Sequence, residues 1–424
     1  MHKTINAAVK LYFTALMFMM YFFITETFYV AGKGISFRHL FALAIVVSAF
    51  VYFIFKPNVS RAAVSVKSAL VFAVPLLVMV VVSLLVWILD KSDPDTIARG
   101  LSGCLLYNNW LSFSLAAGAV LYVFGESGIW YNLAALLASN LLMIVNIMVT
   151  DGIGKFIKEF FELIVSFAGT TGETIVKAEI HELAFCIGAY IIYMLFKPIK
   201  KLWFWVLFSL SVLCFLAAFK RIAMVAMVVV AFLRLIIFLF GKISPKAERR
   251  TVNVIMIICI ILLIAYIAVI KADVFSMLEK AGIDTSGRAY IYSHVNQFYK
   301  FSPLFVGNGI GFLTYQLNEV LSLGVSAVHN DFLQFFIDLG FVGYILWLLS
   351  MTLLRTSYFG KNNDNNTAVA ATLVTVYLII VSSTDNTMNY PLLTGVMGII
   401  IMGNNYNKRV KEQEEYFNTH TFGV

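Results

Sequence analysis

The sequence predicts an all-α polytopic membrane protein of about twelve transmembrane helices with one large extracytoplasmic loop. Three observations predict it. Apolar residues make up 61% of the 424 and charged residues only 13%, whereas soluble domains hold roughly 45–50% and 25%. Mean hydropathy is +0.87. The apolar excess is gathered into continuous runs, most of them long enough for a helix to cross the hydrocarbon core, rather than the short alternating segments of a membrane barrel. This composition excludes a disordered chain, a coiled coil, a nucleic-acid-binding domain and an ordinary cytosolic enzyme.

The first run, 11–31, follows Lys3 and Lys10. It is too long for a signal-peptide core and no small-residue cleavage site follows it, so an uncleaved first span is expected. Runs at 39–55, 69–89, 101–124 and 129–149 come next. Those at 180–196, 202–219, 222–241 and 252–270 form a second series, and 331–354, 367–383 and 391–403 close the chain. No soluble domain is appended, so 1–424 reads as a single integral membrane domain. The four cysteines, Cys104, Cys186, Cys214 and Cys259, lie in or beside these runs without metal-ligand spacing, which suits burial.

Two longer segments separate the runs. In 150–179, Ile153, Phe156, Ile157, Phe160, Phe161 and Ile164 recur at helical spacing opposite Lys155, Lys158, Glu159 and Glu162. That pattern fits a helix lying in the outer interface, or one packed on the bundle. The second segment, 271–330, is the large extracytoplasmic loop, rich in Gly, Asn and aromatic residues. Loops on a rigid scaffold are where function concentrates.

Lysine and arginine orient the spans, because short cytoplasmic loops collect them. With the N-terminus inside, Lys56, Arg61 and Lys67, Lys197, Lys200 and Lys201, Lys242 to Arg250, and Lys408, Arg409 and Lys411 all fall on the cytoplasmic side. Both termini are then cytoplasmic, and much of the net charge of +8 is this bias.

Ionisable residues at span ends need a reason. Lys220-Arg221 separates two runs with almost no loop, on the outer side, where the bias does not expect cations. The pair reads as snorkelling to the headgroups or as an anion site. His181-Glu182 opens the 180–196 run and reads as a general base with its orienter or as an interfacial polar pair. Asp385 sits in the last outer loop, as a turn residue or a functional carboxylate. His329-Asn330-Asp331 starts the 331–354 run on the same face as Arg221 and Arg288. No phosphate-binding glycine loop, nucleophile elbow, His-Glu-x-x-His or paired-carboxylate metal motif occurs.

Three stretches resemble the O-antigen ligase and polymerase superfamily. Thr285-Ser-Gly-Arg-Ala-Tyr-Ile-Tyr292, followed by Ser302-Pro-Leu-Phe-Val-Gly-Asn-Gly-Ile-Gly311, is similar to that family's loop pattern. His329-Asn-Asp-Phe-Leu-Gln-Phe-Phe-Ile-Asp-Leu-Gly340 resembles its histidine helix, including the glycine eleven residues after the His. Lys220-Arg221 resembles its Ser-Arg-Gly hairpin element, with Lys220 in place of the small residue and Ile222 in place of the glycine. The motifs cover about 215–345, and the span layout extends the similarity along the chain. The resemblance implies a glycosyltransferase of the GT-C type in the bacterial inner membrane, with its active site facing outward. It implies an undecaprenyl-diphosphate-linked oligosaccharide as donor, a glycan or glycolipid acceptor, inversion at the anomeric carbon, and no metal or other cofactor.

The chemistry suits these residues. A departing lipid diphosphate needs charge stabilisation, and arginine binds phosphate oxygens through a rigid, permanently charged fork. Arg221 and Arg288, with Lys220 beside them, are the expected diphosphate ligands. The acceptor hydroxyl needs a base that titrates near working pH, and an unperturbed imidazole does so at about 6.5. His329 is the candidate base, with His181, Glu182, Asn330, Asp331, Asp385, Tyr290 and Tyr292 as possible supporting groups. The aromatic residues of 290–312 suit stacking on sugars or prenyl chain, or packing as a lid. A repeat-unit polymerase, acting with a chain-length regulator, is the leading expectation. A ligase moving finished glycan onto a lipid A core, and a transporter of lipid-linked sugars, are the alternatives. Membrane lipids are expected partners and nucleic acid is not.

Overall fold

A computed structural model describes residues 2–24, 26–30, 33–89, 110–165, 181–197, 199–218, 220–283, 285, 287–317, 321, 328–360 and 365–421. Cys104, the start of the 101–124 run, the far part of the 150–179 segment and parts of the 271–330 loop lie outside these residues, as does the side chain of His181.

The chain is nearly all helical. α1 (His2–Phe22) is followed by a small hairpin of β1 (Thr27–Val30) and β2 (Lys33–Ser36), then α2 (Phe37–Phe55) and α3 (Val59–Leu89). A helix over 110–124, α4, meets α5 (Gly128–Asp151) through a 3-10 turn at Gly125–Ser127. α6 (Ile153–Val165), α7 (His181–Phe196), α8 (Leu202–Ala218), α9 (Arg221–Ile243) and α10 (Pro245–Lys271) follow. The 271–330 loop contains the short helices α11 (Val274–Lys280), α12 (Arg288–Val295) and α13 (Phe312–Tyr315). α14 (Asp331–Leu349), a π-helical turn at Ser350–Leu354, α15 (Arg355–Phe359), α16 (Asn365–Ser382), α17 (Pro391–Gly403) and α18 (Tyr406–Thr421) complete the chain.

Except at the end of the 11–31 run, the expected runs correspond to helix over their described residues. Among those residues, six helical stretches are long and apolar enough to cross a membrane: Phe37–Phe55, Val59–Leu89, Trp110–Asp151, Arg221–Ile243, Pro245–Lys271 and Asp331–Phe359. Ala7–Phe22, Glu182–Phe196, Leu202–Ala218, Ala368–Ser382 and Pro391–Gly403 are shorter apolar helices. The protein is a multi-pass membrane protein. The 11–31 run departs from expectation at its end. Its helix stops at Phe22, and Thr27–Val30 pairs with Lys33–Ser36 instead. Thr, Phe, Tyr and Val there are all strand formers, so apolarity continues while the backbone changes.

The chain divides into two compact units. The first comprises Met1–Phe72, Trp110–Val228 and Pro391–Val424; the second comprises Ala73–Asn109 and Val229–Tyr390. In the first unit α1 packs on α5 and α2, and α7 on α8 and α17. Asn132, fully buried on α5, links these helices: its side-chain oxygen accepts from Tyr21 at 2.9 Å and from Tyr190 at 2.6 Å. A buried amide in an apolar bundle must be satisfied in this way. Cys186 and Cys214 are buried, and Cys259 is intermediate. On α6, Phe156 is buried while Ile153, Ile157 and Phe161 are exposed, four residues apart along one stripe.

In the second unit α10 packs on α14 and α16. α14 is broken at Gly340, whose φ of 71° lies in the left-handed region. The break frees backbone groups for the glycine loop at 305–311. The Phe341 N–H donates to the Phe305 carbonyl at 2.8 Å, and the Asp338 carbonyl accepts from Asn308 N at 3.1 Å and Gly309 N at 2.7 Å. The Asp338 carboxylate accepts from Gly311 N at 3.2 Å and Leu313 N at 3.1 Å. Ser83 of α3 accepts from Ile310 N at 2.9 Å. A Cβ at Gly340 would run into the Val306 carbonyl, and one at Gly309 into the Trp87 indole. Gly340→Ala is therefore expected to destabilise the protein by about 2–4 kcal/mol, from left-handed strain plus overpacking. Thermal unfolding in detergent reads this, and an unchanged midpoint would contradict the wedge.

Candidate functional site

The second unit brings three of the expected residues, Arg288, Asp331 and His329, into contact with the loop at 382–390. Thr285 sets the first. Its hydroxyl accepts from Ala289 N at 3.2 Å and donates to Glu279, which holds the first turn of α12. Arg288, the first residue of that helix, reaches the loop: Nη2 donates to the Thr384 carbonyl at 2.8 Å, and Nη1 to the Thr285 carbonyl at 3.3 Å. Its Nε is buried and lacks a partner among the described residues. No carboxylate pairs with it there, so its charge is opposed only by carbonyl dipoles.

The start of α14 supplies the second and third. Asn330 is the N-cap, its side-chain oxygen accepting from Leu333 N at 3.1 Å. Its amide nitrogen donates to the Tyr292 hydroxyl at 3.3 Å. Burial raises the Tyr292 phenol above its ordinary value, with the Asn330 bond and the Arg288 charge opposing. That phenol stays neutral. Asp331 is fully buried, and its Oδ2 accepts from Met388 N at 2.8 Å and from the Thr387 hydroxyl at 3.4 Å. It anchors the loop.

His329 directly precedes the cap. Its φ of 53° is left-handed, a conformation a non-glycine residue adopts at some cost and one that clusters at functional sites. The residue is exposed, while Asn330 and Asp331 behind it are buried. The Asn386 amide nitrogen lies 3.4 Å from His329 Nδ1. That contact ties the ring to the 382–390 loop. Asn386 Oδ1, Thr384 Oγ1 and Asp331 Oδ1 are buried without partners among the described residues. Together with Arg288 Nε they form a cluster of buried polar atoms in an otherwise apolar protein.

Other expected residues fall elsewhere. Asp385 is buried and accepts from Asn386 N at 2.8 Å and from the Tyr390 hydroxyl at 3.3 Å, so it organises its own turn. Tyr290 is exposed and packs on His294, with ring centres 4.4 Å apart. Glu182 is buried in the first unit, bonded to Arg38 at 2.6 Å and accepting from Leu392 N at 2.7 Å. It caps the start of α17, which is a structural task. The Lys220 carbonyl accepts from Ala223 N and Met224 N, and its ammonium lies 5.9 Å from the centre of the Phe185 ring. Arg221 opens α9, exposed and without a hydrogen bond or ion pair among the described residues. Lys220 and Arg221 belong to the first unit, Arg288 and His329 to the second.

The loop aromatics divide their work. Tyr299, Phe301 and Phe305 pack around Phe336, and Phe298 packs on Phe312. A half-open cleft of about 490 Å³ runs beside them, lined by residues that include Gln297, Lys300 and Ser302. Sequence reasoning missed Asn386, Thr384 and Asp338. The first two lie in a stretch that drew notice only for Asp385, and Asp338 reads as one more charge in a span.

A family model described as O-antigen ligase matches residues 206–348. That segment includes Lys220, Arg221, Arg288, the glycine loop and the His329–Gly340 stretch, and the match supports the O-antigen ligase and polymerase superfamily. It supports an enzyme of the ligase and polymerase type, acting on lipid-linked glycans in a membrane. No curated protein matches the chain.

Proposed function

We propose that the protein is a metal-independent, inverting glycosyltransferase that polymerises polysaccharide repeat units from an undecaprenyl-diphosphate-linked donor at the outer face of the bacterial inner membrane. The observation that carries the reading is the convergence of Arg288 and His329 on the 382–390 loop, through Thr384 and Asn386. One supplies the cation and the other the base that such a transfer requires.

In this reading His329 Nε2 takes the proton of the acceptor hydroxyl as its oxygen attacks the anomeric carbon. The bond from that carbon to the diphosphate oxygen breaks on the opposite face, and the lipid diphosphate leaves with the electron pair. Arg288 stabilises the growing negative charge, and its effect is larger in a partly dehydrated site than in water. Arg221 is proposed as the second phosphate ligand, with Lys220 beside it, on the chemistry of the hairpin and the motif it resembles. Asn386 and Asn330 position the base, and Tyr292 holds Asn330. Both chain termini are proposed to be cytoplasmic.

Transfer of finished glycan to another acceptor uses the same chemistry, so product length separates the two. Loss of the gene is expected to leave glycan of a single repeat on its acceptor. Long chains left on the carrier lipid would instead identify a ligase and contradict the polymerase assignment.

A further inference from the structure

One end of the first unit carries a second, separate pocket. It has a volume of about 240 Å³ and is lined by Val9 and Lys10 of α1, Tyr52 of α2, Arg61 of α3, and Val123 and Phe124 of α4. Two cationic residues and a tyrosine therefore line one largely polar concavity, and no carboxylate among the described residues lines it.

Neither cation is neutralised by an ion pair among the described residues. The Lys10 ammonium lies 5.8 Å from the centre of the Tyr131 ring. The Arg61 guanidinium lies against Gly125: a Cβ there would stand 2.9 Å from Arg61 Nη2. Gly125, with φ of 63°, thus makes the room the guanidinium occupies. The neighbouring carboxylate on that turn, Glu126, is turned to another partner and accepts from Asn407 N at 3.4 Å. Two like charges converging on a half-enclosed pocket repel each other, and an anion between them removes that repulsion.

We propose that this pocket binds a phosphate group, carried by the headgroup of an anionic phospholipid. The bound phosphate accepts from Lys10, Arg61 and the Tyr52 hydroxyl, while Val9, Val123 and Phe124 cover the adjoining carbon atoms. The lipid source is favoured over free phosphate by α2, which presents Phe50, Val51, Ile54 and Phe55 outward around Tyr52. Acyl chains have an apolar helix face to follow from the pocket. The site is independent of the transferase reading. It also gives part of the cytoplasmic charge excess a defined ligand, in the manner of basic pockets between membrane helices.

Native mass spectrometry of the full-length, delipidated protein tests it, with phosphatidylglycerol, phosphatidylcholine and inorganic phosphate as separate probes. Wild type is expected to retain phosphatidylglycerol, with binding at least tenfold weaker in Lys10→Gln/Arg61→Gln and kept in Lys10→Arg/Arg61→Lys. Phosphatidylcholine binding is expected to be the same in all three. Thermal stabilisation by inorganic phosphate that needs both cations, without phosphatidylglycerol retention, would overturn the lipid assignment in favour of a free anion. Equal phosphatidylglycerol binding in wild type and the folded double variant would overturn the site. Should the double variant not fold, Tyr52→Phe and Lys10→Gln singly are each expected to weaken phosphatidylglycerol binding, and unchanged binding in both would likewise overturn the site.

Discussion

His329→Ala is expected to abolish glycan transfer while leaving the protein folded and inserted. A positioned base contributes about 10²- to 10⁴-fold to a rate, and no other exposed histidine shares the 382–390 loop among the described residues. The side chain carries little of the fold: the residue is exposed, and the cap of α14 belongs to Asn330. Alanine does meet the left-handed backbone at this position, at roughly 1–2 kcal/mol. His329→Asn separates the two effects, because asparagine tolerates that conformation and is no base. Both variants are expected to lose turnover to the same extent, with the asparagine variant unfolding near the wild-type temperature. Recovery of activity in His329→Asn would show that the histidine serves the backbone and not the proton.

Arg288→Lys is expected to lower kcat by about 10²-fold, the scale of removing one preorganised charge stabiliser. Lysine keeps the charge but loses the planar fork. Arg288 spends one arm on the Thr384 carbonyl and one on Thr285. A lysine can hold the loop or face the diphosphate, and it cannot do both. The measurement is kcat beside the unfolding midpoint in detergent. A large fall in kcat with a small shift in midpoint fits a phosphate ligand. Wild-type kcat, or a loss that follows destabilisation alone, would reduce Arg288 to a tether for the 382–390 loop.

Hydropathy made the helices legible, because twelve apolar runs are a property of the sequence itself and the membrane is the solvent that reads them. The hairpin at Thr27–Ser36 was not legible, since its first strand continues an apolar run and its pairing depends on residues beyond that run. The role of Glu182 stayed open for a similar reason. Its partners Arg38 and Leu392 lie 144 and 210 residues away, and only the fold shows that the carboxylate is spent on them. Gly340 shows the middle case. Its spacing from His329 marks it as special, but the wedge of Phe305 and Val306 that requires a glycine appears only when the loop closes on α14. At the site, His329 stood out because imidazoles are scarce at span ends, and Arg288 because it sits in a loop stretch that resembles the family's pattern. Asn386 did not, because an uncharged amide in a polar turn is ordinary until it is seen 3.4 Å from the histidine.

The proposed reaction breaks the bond between a glycan and a lipid diphosphate without a metal. It can be watched with purified protein in liposomes, given a synthetic undecaprenyl-diphosphate-linked repeat and a chelator. The expected result is a ladder of lengthened glycan with stoichiometric release of undecaprenyl diphosphate, absent in His329→Asn. Intact donor, moved across the bilayer with no diphosphate released, would contradict the transferase and make the protein a transporter.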